Sequence, residues 1–398
     1  MNMFICYFMI YVIINFLEHI FNLFFLEVPF VKYYEEIPII RAIATMLVLC
    51  IHVTAQLYNS NGMIENPILA YFNQISRLGT PIFAVISAFL LTSSTLRRQF
   101  DLTYFIKSRF TKILVPYILW TTLYIILRTL FSTPYYPEGT PIIKYYLLGS
   151  AEIHLYFILV VIQFYILFPF VHKLKKGGPL VTTYIIGTII NIVWLQYGKE
   201  TLTFHNEILN TFVNSKAFIL NWLSFFFLGI GYAKYYKEIN NVVLKHKIYF
   251  KMIGSILFLD LIIKIDTTHL YGSTNVSNII YIPFFLALLI IFYNHLKNYT
   301  FLARSLTVIG NYSMGIYLIH VLLIIIYRQI PYVDIINNPS TFVPSYIVVL
   351  ALSVLSIYGI SKLPFSNYIV PIPSKKAITS KNKLNIKQKE IANSQLEK

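Results

Sequence analysis

The feature that most constrains this chain is a series of apolar runs, each about as long as a helix that crosses a bilayer. Roughly 20 apolar residues are needed to span the hydrocarbon core as a helix. The runs are helical in length, unlike the alternating ten-residue strands of an outer-membrane barrel. The sequence therefore predicts an all-α, polytopic integral membrane bundle with about ten core transmembrane helices. The predicted spans are 38–57, 70–94, 112–132, 153–171, 180–197, 217–235, 250–265, 278–294, 308–329 and 343–362.

Composition agrees with a membrane protein and excludes a soluble globular domain. The chain is 57% hydrophobic and only 12% charged, with a mean hydropathy of +0.66. A soluble domain has about a quarter charged residues. The formal net charge of +16 lies in short loops and in the C-terminal tail. Charge distributed in this way sets membrane orientation. We therefore expect the lipid bilayer as a partner and no nucleic acid.

Lysine and arginine are distributed unequally between alternate loops. One set of segments carries 23 of them and the intervening loops carry 3. The positive-inside rule places the first set in the cytoplasm. We therefore expect a multi-pass plasma-membrane protein with a cytoplasmic C-terminus. The basic segments are 97–112, 172–179, 234–251, 295–305 and 362–398.

Three regions are predicted along the chain. Residues 1–31 are apolar and contain no lysine or arginine, and they lack the basic start and cleavage site of a signal peptide. They form an extra N-terminal transmembrane helix, an interfacial helix or an extension upstream of the true start. Residues 32–363 form the membrane domain. Residues 364–398 form a basic cytoplasmic tail that we expect to be disordered or to lie on anionic lipid.

One arginine and one histidine in the first predicted span are the leading functional candidates. Arg41 and His52 are eleven positions apart, which places them within ~20° of the same helical face and roughly 16 Å apart along the axis. Ionisable groups inside a spanning helix usually face a cavity or the bundle interior. The predicted orientation puts Arg41 near the cytoplasm and His52 toward the outer leaflet. The alternative is that Arg41 reaches the lipid headgroups and His52 is a packing residue.

Candidate substrate-binding residues lie at the predicted outer ends of the second and fourth spans. Arg77 precedes a Gly-Thr-Pro sequence, and such a helix break is tolerated in a membrane only beside protein or a water-filled cavity. Arg77 would hold an anionic or sugar acceptor, or would anchor the helix at the interface. Glu152 and His154 open the fourth span. Residues two apart on a helix do not face each other, so these two would line a shared vestibule or form a wet helix end.

A polar stripe is predicted on the ninth span. Tyr317 follows Ser313 by four residues and His320 follows Tyr317 by three, so the three side chains share one helical face. They form either a buried polar track that contacts substrate or a helix-packing network.

Three basic residues precede the third span. Lys107, Arg109 and Lys112 would gather a polyanionic nucleotide, such as the phosphates of coenzyme A. Basic residues at this place also fix topology.

Several other chemistries lack the residues that they require. The sequence has no Gly-x-Ser-x-Gly elbow and no carboxylate pair placed for glycoside hydrolysis. A metal site needs clustered histidines and carboxylates, whereas the nine histidines are scattered along the chain. We therefore predict no metal site.

Five stretches occur together in the order found in the membrane acyltransferase-3 family, which the chain resembles over residues 33–362. One departure is Ser87-Ala88-Phe89 where the family usually has Ser-Gly-Phe, a change that affects helix packing more than chemistry. The matching stretches are Arg41-x10-His52, Arg77-Leu-Gly-Thr-Pro-Ile-Phe with Ser87-Ala-Phe-Leu-Leu, Arg109-Phe-Thr-Lys-Ile-Leu-Val-Pro-Tyr-Ile-Leu-Trp, Glu152-Ile-His154-Leu-Tyr-Phe and Gly310-Asn-Tyr-Ser-Met-Gly-Ile-Tyr-Leu-Ile-His320.

The resemblance implies a stand-alone membrane O-acyltransferase. Such an enzyme moves an acetyl or other short acyl group from cytoplasmic acyl-CoA to a hydroxyl of a cell-envelope or extracellular carbohydrate. It also implies that Arg41 and His52 are essential, with His52 as general base and Arg41 binding the donor phosphates or the developing oxyanion. Acyl-CoA is then a donor substrate, and no bound cofactor is expected. The expected partners are acyl-CoA, a cell-surface or lipid-linked glycan and a polysaccharide synthase complex.

The alternative function is a polysaccharide exporter or flippase that uses the same intramembrane polar residues. Transporters of this kind are often built from internal repeats with paired broken helices. No such repeat is apparent in the sequence, which favours the enzyme.

Overall fold

The computed structural model describes residues 34–61, 64, 66–131, 141–198, 201–265, 272–328 and 341–371. Within these ranges the chain is helical and forms no strand. A π-helical turn at Phe110–Leu114 joins the helices Leu102–Arg109 and Val115–Leu130, and another at Trp194–Gly198 extends the helix Gly178–Val193. The helices are α1 (Glu36–Asn61), α2 (Pro67–Ser76), α3 (Gly79–Arg97), α4 (Leu102–Arg109), α5 (Val115–Leu130), α6 (Ile143–Leu148), α7 (Tyr156–Val171), α8 (Gly178–Val193), α9 (Glu207–Asn214), α10 (Leu223–Lys234), α11 (Tyr236–Lys245), α12 (Lys247–Ile263), α13 (Asn278–Leu296), α14 (Thr300–Arg328), α15 (Phe342–Ser361) and α16 (Ser366–Ile369).

Eight helical stretches of the described chain are long and apolar enough to cross a membrane. The prediction of an all-α polytopic bundle is confirmed. The helices at the fourth and seventh predicted spans are shorter than these eight stretches, with 16 residues in α7 and 17 in α12. α7 is short because the chain just before it, from Glu152 to Leu155, forms a turn with both end residues buried. The eight long stretches are Glu36–Ala55, Pro67–Arg97, Leu102–Leu130, Gly178–Gly198, Glu207–Lys234, Asn278–Leu296, Thr300–Arg328 and Phe342–Ser361.

The start of the predicted C-terminal tail is folded against the bundle. α16 packs on α5, and the indole Nε1 of Trp120 donates a hydrogen bond to the Ile369 carbonyl at 2.9 Å. Val370 is fully buried. These contacts hold residues 366–371 in place, and the predicted start of the tail at residue 364 stays a prediction. The expectations for residues 1–31 and for the tail from residue 372 lie outside the described residues.

α1 packs against α14, α3 and α2, with α14 as its largest neighbour. α1 and α14 approach each other closely at Gly310, where an added Cβ would lie 1.7 Å from the Pro38 carbonyl oxygen. α10 approaches α3 in the same way at Gly229, whose Cβ would lie 2.2 Å from the Val85 oxygen. Small residues are the usual means by which membrane helices approach closely. The close α1–α14 contact brings the polar stripe of α14 beside the arginine and histidine of α1.

We expect Gly310→Val to destabilise the bundle, because the new side chain cannot fit between α14 and the backbone of α1. Overpacking of this kind should lower the free energy of unfolding by about 3 kcal/mol. The matched control is Gly359→Val, because Gly359 is also helical and has no atom within 4 Å of its Cβ position. Unfolding of both purified variants in detergent measures the difference. Equal stability would contradict this account of the crossing.

The second predicted span, 70–94, is interrupted where α2 ends and α3 begins. Arg77 lies in the break, and its Nε and Nη2 donate to the Asn73 side-chain oxygen at 3.2 and 3.0 Å. The Asn73 amide in turn donates to the Thr54 hydroxyl at 2.8 Å and to the Ile51 carbonyl at 3.3 Å. These bonds place Arg77 beside α1 at the level of His52.

Candidate active site

Three histidines from separate parts of the chain meet in the interior of the bundle. His52 lies on α1, His154 in the turn before α7 and His320 on α14, and all three are buried. The ring centroids are 4.9 Å apart for His52 and His320, 5.1 Å for His154 and His320, and 6.0 Å for His52 and His154. We call this group the histidine cluster. The sequence singles out each residue but treats the histidines as scattered, and the structure corrects that view for these three.

Hydrogen bonds and ring contacts fix the other two histidines around His52. The Nδ1 atom of His320 lies 3.0 Å from the Ile316 carbonyl. Since a carbonyl only accepts, Nδ1 carries the hydrogen and Nε2 carries the lone pair. This buried Nε2 has no hydrogen-bond partner among the described residues. The Tyr317 hydroxyl donates to the His154 carbonyl, and the His154 ring packs edge-on against Tyr124 at 5.3 Å.

The histidine cluster is suited to proton transfer. Within the described ranges, no three His, Cys, Asp or Glu side chains are placed to bind one metal ion. The Arg77 guanidinium is held near His52, because it donates to Asn73, whose amide donates to the carbonyl of Ile51, the residue before His52. Imidazole is the side chain that most often acts as a general acid or base, so the cluster offers a buried base with a cation beside it.

A cavity of about 230 Å³ lies at the level of Arg41. We call it the arginine cavity. The Arg41 Nε donates to the Ser313 hydroxyl at 3.0 Å, as expected if the ninth span carries a polar stripe. Tyr317 lines the cavity and also touches His154, so it connects the arginine cavity to the histidine cluster. The remaining wall is mostly apolar. The polar lining consists of Arg41, Ser87, Arg109, Tyr165, Ser313 and Tyr317.

The two arginines of this cavity have no acidic partner among the residues that the structure describes. No carboxylate of the described chain lies within 4.0 Å of either guanidinium. Arg109 lies over the rings of Phe105 at 5.5 Å and Tyr165 at 5.1 Å, and its buried Nε makes no hydrogen bond to the described residues. The cavity therefore concentrates positive charge among apolar walls. Arginine is the side chain that best binds phosphate or carboxylate in such a place.

Of the three basic residues predicted to bind donor phosphates, only Arg109 lines this cavity. Lys107 and Lys112 are exposed on the surface. Arg109 is the last residue of α4 and directly precedes the π-helical turn. An extra residue in a helical turn changes which side chains face inward, and such turns are frequent at functional sites. Because the π turn cannot be recognised in the sequence, the sequence alone does not show which of the three basic residues lines the cavity.

Glu152 is buried and paired with Arg128. Its Oε2 accepts from the Arg128 Nη2 at 2.9 Å and from Nε at 3.1 Å, while its Oε1 accepts from the Ile153 amide at 3.1 Å. The pair holds the turn that carries His154. The role of Glu152 in substrate binding stays a prediction. The sequence alone does not single out Arg128, because an arginine near the end of a predicted span usually indicates membrane orientation.

A second cavity, of about 360 Å³, lies at the level of Arg77. It has no lining residue in common with the arginine cavity. Because Arg77 is tied through Asn73 to the Ile51 carbonyl, this cavity lies roughly 16 Å along α1 from Arg41. We call it the amide cavity. Its lining is Gln74, Arg77, Leu78, Leu261, Lys264, Ile265, Gly272, Asn275, Ser277, Asn278 and Tyr281.

Comparison with known proteins assigns the chain to a family. The acyltransferase-3 family model, described as an acyltransferase domain, matches residues 34–358. The chain is 25% identical over 340 residues to the "probable poly-beta-1,6-N-acetyl-D-glucosamine export protein" of Staphylococcus aureus (strain MRSA252), covering 82% of this chain and 90% of the relative. A protein of the same name from Staphylococcus epidermidis is 26% identical over 337 residues, covering 82% and 88%. No solved structure matches the chain.

The family match contains the histidine cluster, the whole lining of the amide cavity and every lining residue of the arginine cavity except Pro371. The resemblance that rested on five ordered motifs is thereby confirmed. With its eight long apolar helices, the chain belongs to the acyltransferase-3 family and is a multi-pass membrane acyltransferase.

Proposed function

We propose that this enzyme transfers an acetyl or other short acyl group from a cytoplasmic acyl-CoA to a hydroxyl of a cell-envelope polysaccharide. One observation carries the proposal: a cavity lined by two arginines, neither within 4.0 Å of a described carboxylate, is connected through Tyr317 to a cluster of buried histidines. The arginines suit a polyanionic donor, and the histidines suit removal of a proton from a hydroxyl. The names of the relatives refer to poly-β-1,6-N-acetyl-D-glucosamine, which supports a carbohydrate acceptor.

The distribution of charge in the loops supports a defined orientation. The basic segment 295–305 leads into the end of α14 that packs on the Arg41 end of α1, where Gly310 meets Pro38. By the positive-inside rule the arginine cavity therefore faces the cytoplasm, where acyl-CoA is made. The amide cavity then faces outward. The enzyme lies in the cell membrane with its C-terminus inside. Donor and acceptor thus reach the histidine cluster from opposite sides.

His52 acts as the general base. It removes the proton from the acceptor hydroxyl as the oxygen attacks the thioester carbonyl. The tetrahedral intermediate then loses its carbon–sulfur bond, the new ester remains on the sugar, and the coenzyme A thiolate takes the proton from the imidazolium. Arg41 and Arg109 hold the donor phosphates, and the flexible arm of the donor runs past Tyr317 toward His52.

Ester formation in cells tests this function. The protein is expressed in a strain that lacks it, and mild base releases ester-linked acyl groups from the surface glycan for identification. Acyl groups that appear only with the protein support the proposal, and the released acid identifies the donor.

A second candidate function is export of the polysaccharide, which the printed names of the relatives favour. The same experiment separates the two functions. An exporter would increase the amount of glycan outside the cell and leave its ester content per sugar unchanged. That result would replace the acyl-transfer proposal.

We expect Arg109→Gln to weaken donor binding, because Arg109 lines the arginine cavity. Loss of a charge-assisted hydrogen bond of about 1.5–3 kcal/mol should raise the KM for acyl-CoA ~10-fold to 100-fold. The matched control is Lys112→Gln, since Lys112 is three residues away and exposed. Steady-state kinetics with varied acyl-CoA measure both variants. Equal KM values for the two would remove Arg109 from the donor site.

A further inference from the structure

We propose that the amide cavity is the binding site for the acceptor sugar. The sugar would enter between the break that separates α2 from α3 and the facing ends of α12 and α13. This inference rests on the proposed acyl transfer and adds the location and chemistry of the acceptor site.

The wall of the amide cavity carries the groups that recognise sugar hydroxyls. Gln74, Asn275 and Asn278 line it. The Asn278 amide donates to the Ser273 carbonyl and the Asn275 oxygen accepts from the Ser277 amide, which fixes two carboxamides in place. A carboxamide can make several hydrogen bonds and both donates and accepts them, as a hydroxyl does. Tyr281 adds an aromatic ring to the wall, and its own hydroxyl is held by the Asp260 carboxylate at 2.5 Å. Pockets for small polar ligands combine a few fixed polar groups with apolar walls. The Leu78, Leu261 and Ile265 side chains supply the apolar part.

The charge of the amide cavity distinguishes its ligand from that of the arginine cavity. Lys264 is neutralised by Asp260 at 2.8 Å. The Arg77 guanidinium donates to the neutral Asn73 side chain, and no carboxylate of the described residues lies within 4.0 Å of it. One guanidinium among amides suits the hydroxyl and carbonyl oxygens of a sugar. The two arginines on the other side suit the several phosphates of the donor.

The position of the cavity makes it useful to the reaction. Arg77 lies in the cavity wall, and its bond to Asn73, which in turn donates to the Ile51 carbonyl, holds it at the level of His52. A sugar bound to Arg77 would therefore present a hydroxyl to the histidine cluster. Because the proposed acyl-CoA site is a separate cavity, a substitution in the wall of the amide cavity should weaken acceptor binding and leave donor binding unchanged.

Gly272 allows the cavity to be filled without damage to the fold. The nearest atoms to an added Cβ at this position are 3.6, 3.7 and 3.8 Å away, which is ordinary contact. Gly272→Leu therefore adds bulk at the cavity wall. The matched control is Gly359→Leu, on α15, where no atom lies within 4 Å of the Cβ position. A second variant, Gln74→Met, keeps the side-chain volume and removes the carboxamide.

The test uses the purified full chain in lipid nanodiscs and a β-1,6-linked N-acetylglucosamine oligomer as the probe. We expect wild type and Gly359→Leu to bind the oligomer, and both cavity variants to bind it about tenfold more weakly or worse. The KM for the oligomer should rise by the same factor. The KM for acyl-CoA should stay unchanged in all four proteins.

Each outcome decides one of the two proposals. Equal oligomer binding by Gly272→Leu, Gln74→Met and wild type would overturn the acceptor site. Absence of oligomer binding by wild type would overturn this class of acceptor for the cavity. Normal oligomer binding by wild type with no acyl transfer would leave the sugar site standing and would contradict the proposed enzyme function. If lipid occupies the cavity in place of the oligomer, wild type will not bind the oligomer, and the acceptor proposal is overturned in the same way.

Discussion

Replacing His52 by glutamine should lower acyl transfer by about 10²–10⁴-fold, the contribution expected from one positioned general base. Glutamine is close to histidine in size and can still form hydrogen bonds, but its amide does not accept a proton at neutral pH. The ring of His52 packs 4.9 Å from that of His320, and a glutamine side chain of similar size should occupy the same space. Turnover of labelled acyl-CoA in nanodiscs measures the loss. Wild type and variant are compared at equal amounts of incorporated protein.

The control for this substitution is His295→Gln. His295 is exposed near the end of α13 and stands outside the histidine cluster. Its replacement should leave turnover unchanged. If His52→Gln kept wild-type turnover, the general-base role would be lost, whatever the behaviour of the control.

Replacing Arg41 by glutamine should reduce kcat/KM by about 10²–10³-fold, as for removal of a preorganised donor to a developing or fixed negative charge. Arg41 is half-buried and bonds through Nε to Ser313, which leaves the rest of the guanidinium for a ligand in the arginine cavity. Arg41→Lys should recover only part of the loss, because lysine supplies a charge without the planar pair of donors.

The matched control is Arg98→Gln. Arg98 is exposed and lies over the Tyr104 ring at 5.4 Å, and it lines neither cavity. Steady-state kinetics with both substrates varied separate the effects. Full recovery by Arg41→Lys would show that charge alone is needed, and no loss in Arg41→Gln would remove the residue from the site.

The sequence predicts the architecture because lipid imposes a length on every spanning helix. All ten predicted spans contain helix in the structure. The shortness of α7 and the break between α2 and α3 are not given by hydropathy. Both depend on buried polar contacts, with Arg128 to Glu152 in the first case and Asn73 to α1 in the second. Such contacts join residues that are far apart in the sequence.

The candidate site could be predicted only in part. Helical spacing places Arg41 with His52, and Ser313 with Tyr317 and His320, because residues on one helix share a face at fixed intervals. The meeting of His52, His154 and His320 depends on how three segments pack, which spacing does not reveal. The amide cavity also escapes prediction, since most of its lining is ordinary polar loop and helix-end sequence.

The measurement that tests the central claim most directly is acyl transfer across a sealed membrane. Vesicles of known orientation enclose the glycan acceptor on the side of the amide cavity, and labelled acyl-CoA is added on the side of the arginine cavity. We predict that label becomes ester-linked to the enclosed glycan with wild type and does not with His52→Gln. Transfer that requires both substrates on the same side, or that persists in His52→Gln, would contradict an enzyme whose histidine cluster is reached from two sides.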